Sequence, residues 1–369
     1  MSTTIQDDSI KAIASRFEGI VWTDVITRAH ACPDLPEKTL LHAGPPLTDE
    51  LPKPIRAAAI EAILYEAWAD DAEHAAQLLD AQAVTLLPAQ EHGVVTPLAQ
   101  VVSPSMPMFC VSRDEVRCYA PLVESGPPAL RFGKPAASAR AQLRLISHLG
   151  IHALRPVLKQ HPVAIAPLIA HALCGGEECH ALTAKANAAL VTQLEQLPVQ
   201  DKHLILSNPG FVLPLLMAAS AVHLKEHGQI VAAGGNSQCF GYRLRGTDGW
   251  HLVTATPPQG SRFPGHEETP ALNAIGDSAV IDFSGLGAQA LMYAPGLSAD
   301  WKNFLPADLV EQRNQVLDAS TGTVSIEGVK SKDASPMVNL AILDRDAQVG
   351  LIGRGVYRLP FQSLAIEAE

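Results

Sequence analysis

Two carboxylates and two hydroxyls stand among small and apolar residues in AIGDSAVIDFSGLG, residues 274–287. Asp277 follows a glycine and precedes Ser278, and Asp282 is followed closely by Ser284 and Gly285. Apolar neighbours suggest burial, and a buried carboxylate without a partner is costly. Each Asp therefore needs hydrogen-bond donors or a role in moving a proton. Read as a strand, the stretch puts Asp277, Ala279 and Ile281 on one face and Ser278, Val280 and Asp282 on the other. It is either an active-site wall or an edge strand with polar residues in water.

Three further stretches place polar residues where a pure core would not. His42-Ala43-Gly44-Pro45-Pro46 follows an apolar strand, and Gly44 would let a ligand approach the backbone; the plain alternative is a turn with an exposed His. PAQEHGVVTPLAQVVSPSMP carries His92, Ser103 and Ser105 on a proline-stiffened loop, as a pocket wall or a structural loop; Ser105 lacks the nucleophile-elbow pattern. CGGEECH, read as a helix start, puts Glu177 and His180 one turn apart on one face, the spacing of an acid/base pair or of two metal ligands. No second Glu-x-x-His completes a di-metal site, and the glycines at 350, 353 and 355 lack dinucleotide-binding spacing, so no metal and no cofactor are expected.

The elements that must position these residues fall into three segments. Residues 1–135 alternate short apolar strands (TLLHAGPPL, AVTLLPA) with one Ala-rich amphipathic helix expected from about Ile55 to Gln82. Residues 136–227 read as helices with breaks at Gly175-Gly176 and Asn208-Pro209-Gly210. From residue 228 to 369, glycines and β-branched residues return in QIVAAGG, CFGYRLRG, MVNLAIL and VGLIGRGVY. The expected fold class is α/β (α+β): two α/β domains, 1–135 and 228–369, with a small all-helical domain, 136–227, between them.

A chain of 369 residues with 47% apolar and 18% charged residues can fill large cores, and its net charge of −11 disfavours nucleic acid and anionic membranes as partners. Six cysteines without a CxxC pair read as free thiols in a reducing compartment. The N-terminus MSTTIQDDSIKAI has no apolar signal core, and the greasy run Phe211 to Val222 contains Pro214 and is short of a membrane span; a soluble cytoplasmic protein is expected. That run, and the Ala-rich face from Ala57 to Ala69, are long enough in apolar residues to be either buried or covered by another chain.

Together, LLHAGPPL, RAAAIEAILYEAWA, VVTPLAQVVSPSMP, ESGPPALRFG, ALCGGEECH, FVLPLLMAASAV, GGNSQCFGYRLRG, FPGHEE and IGDSAVIDFSGLG resemble, in the same order, the AllG-type family, from about Leu40 to Leu364. The resemblance implies the large component of an oxamate carbamoyltransferase, a role in allantoin and purine breakdown, and exchange of oxalurate and phosphate for oxamate and carbamoyl phosphate. It also implies a hetero-complex with an acyl-CoA-synthetase-like subunit and a smaller one; from the apolar stretches a homo-oligomer is expected as well.

On that basis the catalytic set is Glu177, His180, Asp277 and Asp282, with His180 and Glu177 moving the proton and the two aspartates orienting. The binding set for a small anionic substrate and phosphate is His42, Gly44, His92, Ser105, Arg131, Asn236, Arg243 and Ser278. The chain departs from the family pattern at Ala181 and Leu182, where Asn-Arg is usual, at Gly235, where Arg is usual, at Asp282, where Glu is usual, and in AILDRD, which lacks a His. Loss of two arginines removes two bidentate anion clamps. The alternative to an enzyme is therefore a scaffold or ligand-binding subunit that has lost the chemistry.

Overall fold

The computed structural model describes residues 3–48, 50–331 and 334–360. Leu364, the far end of the family resemblance, and the first two residues of the polar N-terminus lie outside them.

Four small sheets carry the strands. The first orders Val116–Pro121, Pro107–Arg113, Val21–Thr27 and Val163–Ala164, all antiparallel. Its last strand comes from the segment expected to be wholly helical. Thr39–His42 pairs in parallel with Thr85–Pro88, a pairing that needs a crossover, here two helices. An antiparallel sheet orders Ile275–Gly276, Ile230–Asn236, Cys239–Leu244 and His251–Thr254, and another orders Gln259–Arg262, Leu351–Arg358 and Met337–Leu343. The mixed α/β class stands.

The helix Val212–His227 lies at the centre. It packs on Val116–Pro121 and Pro107–Arg113 on one side and on Ile230–Asn236 and Ala279–Phe283 on the other. From Val212 to Leu224 all its residues but Leu213 are buried. A helix walled in on all sides has no need of a polar face, which is why FVLPLLMAASAV shows no amphipathic stripe. Each such large apolar side chain contributes about 2 kcal/mol by leaving water. The Ala-rich face is likewise used inside the chain, with Ala57, Ala58, Ala59, Ala62 and Ala69 all buried. Both stretches offered above as possible interfaces are thus covered by the chain itself. The resulting core is continuous from Ile10 to Leu359.

Three local readings are corrected. The single helix over Ile55 to Gln82 is two, Lys53–Tyr65 and Ala72–Asp80. Ala67 adopts φ +56°, and the Asp71 carboxylate caps the second helix by accepting from the His74 amide, a local bond that outcompetes helix continuation. The stretch Asp277 to Phe283 is not a strand: Ile275–Gly276 ends at Gly276 (φ +118°) and Ala279–Phe283 is a short helix. Five apolar and polar residues cannot distinguish a period of 2 from one of 3.6, and tertiary packing chose the latter. Finally, Glu177 to His180 lie in a non-helical turn, because Gly176 (φ +82°) and Cys179 (φ +74°) take left-handed backbone.

Candidate active site

His180 and Asp282 meet across 102 residues of chain. The His180 Nδ1–H donates to Asp282 Oδ2 at 2.8 Å, and both residues are buried. The other oxygen, Asp282 Oδ1, accepts from the Ala288 amide at 2.7 Å and the Asn339 amide at 3.0 Å. The carboxylate is therefore held on both sides, and a buried charge of this kind is tolerable only when it is so satisfied. Space is also reserved for it: a Cβ at Gly287 would lie 2.3 Å from Asp282 Oδ1.

Burial alone pulls the His180 imidazole down, but the charge and hydrogen bond of Asp282 and the charge of Glu178 outweigh it, so its pKa stands above the ordinary value. Among the described residues nothing bonds its Nε2. Pinned at Nδ1 and with its protonated form favoured, the ring can act as a general acid through Nε2.

Glu178 shapes the turn that presents His180. Its fully buried carboxylate accepts from the His180 amide at 3.3 Å, the Ala181 amide, the Leu182 amide at 3.0 Å and Asn339 Nδ2 at 2.8 Å. Burial pushes its pKa up. Glu177, by contrast, accepts from the Lys185 amide at 2.6 Å and does not pair with His180. The expected Glu177–His180 couple is replaced by Asp282–His180, because the turn is not helical.

His180 opens on a cavity of about 470 Å³ that also receives Glu177, Ser278, Asn339, Arg131 and Arg354. All three sequence segments contribute. Ser278 Oγ and Asn339 Oδ1 are buried and have no hydrogen-bond partner among the described residues. Arg131 Nη1 donates to the Glu124 carbonyl at 2.6 Å, and its guanidinium lies 4.6 Å from the centre of the Phe132 ring. Arg354 is exposed at the cavity. Ala181 and Leu182 line it too, so the positions where the family pattern places Asn-Arg form an apolar wall.

Asp277 occupies a separate knot beside this cavity. Its Oδ1 accepts from the Gly44 amide at 2.8 Å and Gln90 Nε2 at 2.6 Å, and its Oδ2 from the Thr96 amide at 2.9 Å. Burial pushes its pKa up to about 7, against the pull of those three bonds. The knot ties the Gly44 turn to the loop whose Pro97 and Leu98 line the cavity. Gly44 is needed there: it has φ +75°, and a Cβ would lie 2.4 Å from the Gly235 carbonyl carbon. At Gly235 a Cβ would lie 2.4 Å from the Ala274 oxygen, so an arginine before Asn236 has no room in this backbone.

The other singled-out residues lie away from the cavity lining. His42 is buried, donates from Nδ1 to the Ala43 oxygen at 2.8 Å, and burial lowers its pKa to about 4, leaving it neutral. Ser105 is exposed and donates from its amide and hydroxyl to Glu66 Oε1 at 2.8 and 2.9 Å. Asn236 is consumed by the fold, donating to the Pro45 and Pro46 oxygens and accepting from the Gln238 and Cys239 amides. His92 closes a 3₁₀ turn, and Arg243 lies on Cys239–Leu244 opposite Ala232. Asn339 and Arg354 are among the cavity residues that sequence reasoning missed. The one visible signal was a lone Asn inside the apolar run MVNLAIL. Among the described residues no three His, Cys, Asp or Glu side chains gather as a metal ligand set.

The family model described as oxamate carbamoyltransferase subunit AllG matches residues 84–278. The chain is 27% identical over 384 residues to the oxamate carbamoyltransferase subunit AllG of Escherichia coli (strain K12), covering 92% of this chain and 90% of that one. It is 27% identical over 366 residues to the uncharacterized protein YahG of the same organism, covering 89% and 78%. A crystal structure of a conserved protein of unknown function from Enterococcus faecalis V583 shares the fold, with a TM-score of 0.82 at 21% identity over 97% of this chain and 94% of that one.

Proposed function

The chain belongs to the AllG family, and from that premise we propose that it is a subunit of a carbamoyltransferase acting on a small amide or ureido anion of the oxamate and oxalurate kind. The observation that supports this most is a buried, carboxylate-held His180 at the cavity, with its pKa raised and Nε2 free. In the direction that releases carbamoyl phosphate, a phosphate oxygen attacks the ureido carbonyl carbon and forms a C–O bond. The tetrahedral intermediate then breaks its C–N bond, and the leaving amide nitrogen takes a proton from His180 Nε2. The proton shed by the phosphate restores the imidazolium, so charge balances over the cycle. Asp282 holds the ring and its charge, while Arg131 and Arg354 offer positive charge to the anionic groups. Asp277 positions the Pro97–Leu98 wall.

We read the chain as three parts, 1–135, 136–227 and 228–369, working in a cytoplasmic hetero-complex with further subunits, with self-association beside it. Six free cysteines agree with a reducing compartment, and among the described residues no helix is long and apolar enough to cross a membrane. The second reading, a ligand-binding subunit without turnover, draws on the apolar residues Ala181 and Leu182 at the cavity.

The test is phosphate-dependent release of carbamoyl phosphate from ureido acids, using the full chain alone and with the subunits encoded beside it. His180→Gln is expected to lower the rate about 10²–10⁴-fold. Wild-type rates in that variant would sink the assignment. Binding without turnover in every combination would favour the second reading.

A further inference from the structure

Two residues of the cavity lining each carry a buried atom without a partner among the described residues, and the two atoms differ in what they ask of a ligand. Asn339 is fully buried, and its Nδ2 is committed to Glu178 Oε1 at 2.8 Å. That carboxylate oxygen also accepts the Ala181 and His180 amides, so it can only be an acceptor, and the Asn339 amide must turn its nitrogen toward it. The atom left without a partner is therefore a carbonyl oxygen, Oδ1. An unpaired buried acceptor is satisfied by an N–H or O–H of the ligand. Ser278, 2% exposed, adds a hydroxyl that can give or take a hydrogen bond. His180 adds Nε2, a donor when the ring is protonated and an acceptor when it is neutral. A group that presents an N–H beside a carbonyl oxygen meets this set: a ureido or primary carboxamide terminus.

The rest of the wall asks for something else. Leu98, Phe132, Leu182, Leu213, Ala341 and Leu351 line the same cavity, and its volume of about 470 Å³ lies in the range of sites that hold ligands well beyond a bare ureido acid. In the strand Met337–Leu343, Asn339 and Ala341 alternate to one face, and Arg354 stands opposite Ala341 in the register. The polar reader of the terminus and an apolar position thus follow one another along one strand, with a cation beside the apolar position on the neighbouring strand.

We propose that the cavity takes ureido or primary carboxamide anions that carry a hydrophobic substituent of about leucine size, a proposal that rests on the carbamoyl-transfer reading and narrows its substrate class. The Asn339 Oδ1 reads the terminal N–H, the cations take the carboxylate, and the apolar wall takes the substituent.

The experiment is calorimetric titration of the full chain with N-carbamoyl-L-leucine, N-carbamoylglycine and N-acetyl-L-leucine, the last replacing the terminal NH₂ by a methyl of similar size. N-carbamoyl-L-leucine is expected to bind at least about tenfold tighter than N-carbamoylglycine, from the buried side chain. It is expected to bind about tenfold tighter than N-acetyl-L-leucine, from the lost N–H. In Leu182→Asn, whose backbone bond to Glu178 is untouched, N-carbamoyl-L-leucine loses several-fold more affinity than N-carbamoylglycine, so the leucine preference shrinks. In Asn339→Leu the discrimination between carbamoyl and acetyl is lost and the leucine preference stays. Equal affinity for all three probes, or none for any, overturns the proposal. Turnover of oxalurate without a leucine preference overturns it and leaves carbamoyl transfer standing. N-carbamoyl-L-leucine bound as described, with no carbamoyl phosphate formed by any combination of subunits, overturns the carbamoyl-transfer reading alone.

Discussion

Asp282→Asn isolates what the carboxylate does for His180. The side-chain oxygen of the new Asn can keep the Ala288 and Asn339 amides, which lie 2.7 and 3.0 Å from Asp282 Oδ1. Its NH₂ then replaces the oxygen that now accepts from His180 Nδ1 at 2.8 Å. Two donors cannot face each other, so Nδ1 must give up its proton and accept, leaving the ring neutral with its proton on Nε2. The charge and hydrogen bond that now outweigh burial are gone, so the His180 pKa falls and the imidazolium is disfavoured relative to the wild type.

The fold loses about 1–2 kcal/mol from charge-assisted bonds that become neutral ones, partly offset because a charge no longer has to be buried. The reaction loses its acid, a cost of about 10²–10⁴ in rate. The side-chain nitrogen resonances of His180, followed through a pH titration, report the tautomer and the pKa, and carbamoyl phosphate release across the same pH range reports the rate. A variant that folds and whose ring still titrates as in the wild type would falsify the pairing argument. Normal rates with a neutral ring would dismiss His180 as the acid.

Asp277 makes a separate prediction about pH. Its folded pKa of about 7 lies above the ordinary 3.8, so the protonated form favours folding and its stabilisation is lost as pH rises toward 7. Between pH 5 and pH 8 this amounts to about 2–3 kcal/mol. Urea unfolding at the two pH values should show that loss in the wild type and not in Asp277→Asn; equal slopes in both proteins would refute it. At the helix break, Ala67→Gly relieves the φ +56° backbone and should raise stability by up to about 1 kcal/mol, read as a higher urea midpoint. A lowered midpoint there would mean that the left-handed turn is not what interrupts the helix.

Much of this protein is legible from local chemistry. Carboxylates at 277 and 282 among apolar neighbours had to be buried with donors, and each has three. Gly175-Gly176 and Asn208-Pro209-Gly210 break the helical segment because glycine at a positive φ and proline past the first turn disfavour helix continuation, and the alternation of strands with helices already implied mixed α/β layers. What residue type and spacing left open was settled by contacts between distant residues. The run AVIDF suits either period, and it became helical where it packs on the central helix Val212–His227. Glu177 stood at helical spacing from His180, yet left-handed backbone at Gly176 and Cys179 turned it away and brought His180 to Asp282 instead. Asn339 looked like a lone polar residue in an apolar strand; only Glu178, reached from 161 residues away, decides which of its amide atoms is left without a partner. A hydrogen bond is specified by the position of both partners, and local sequence carries the position of one.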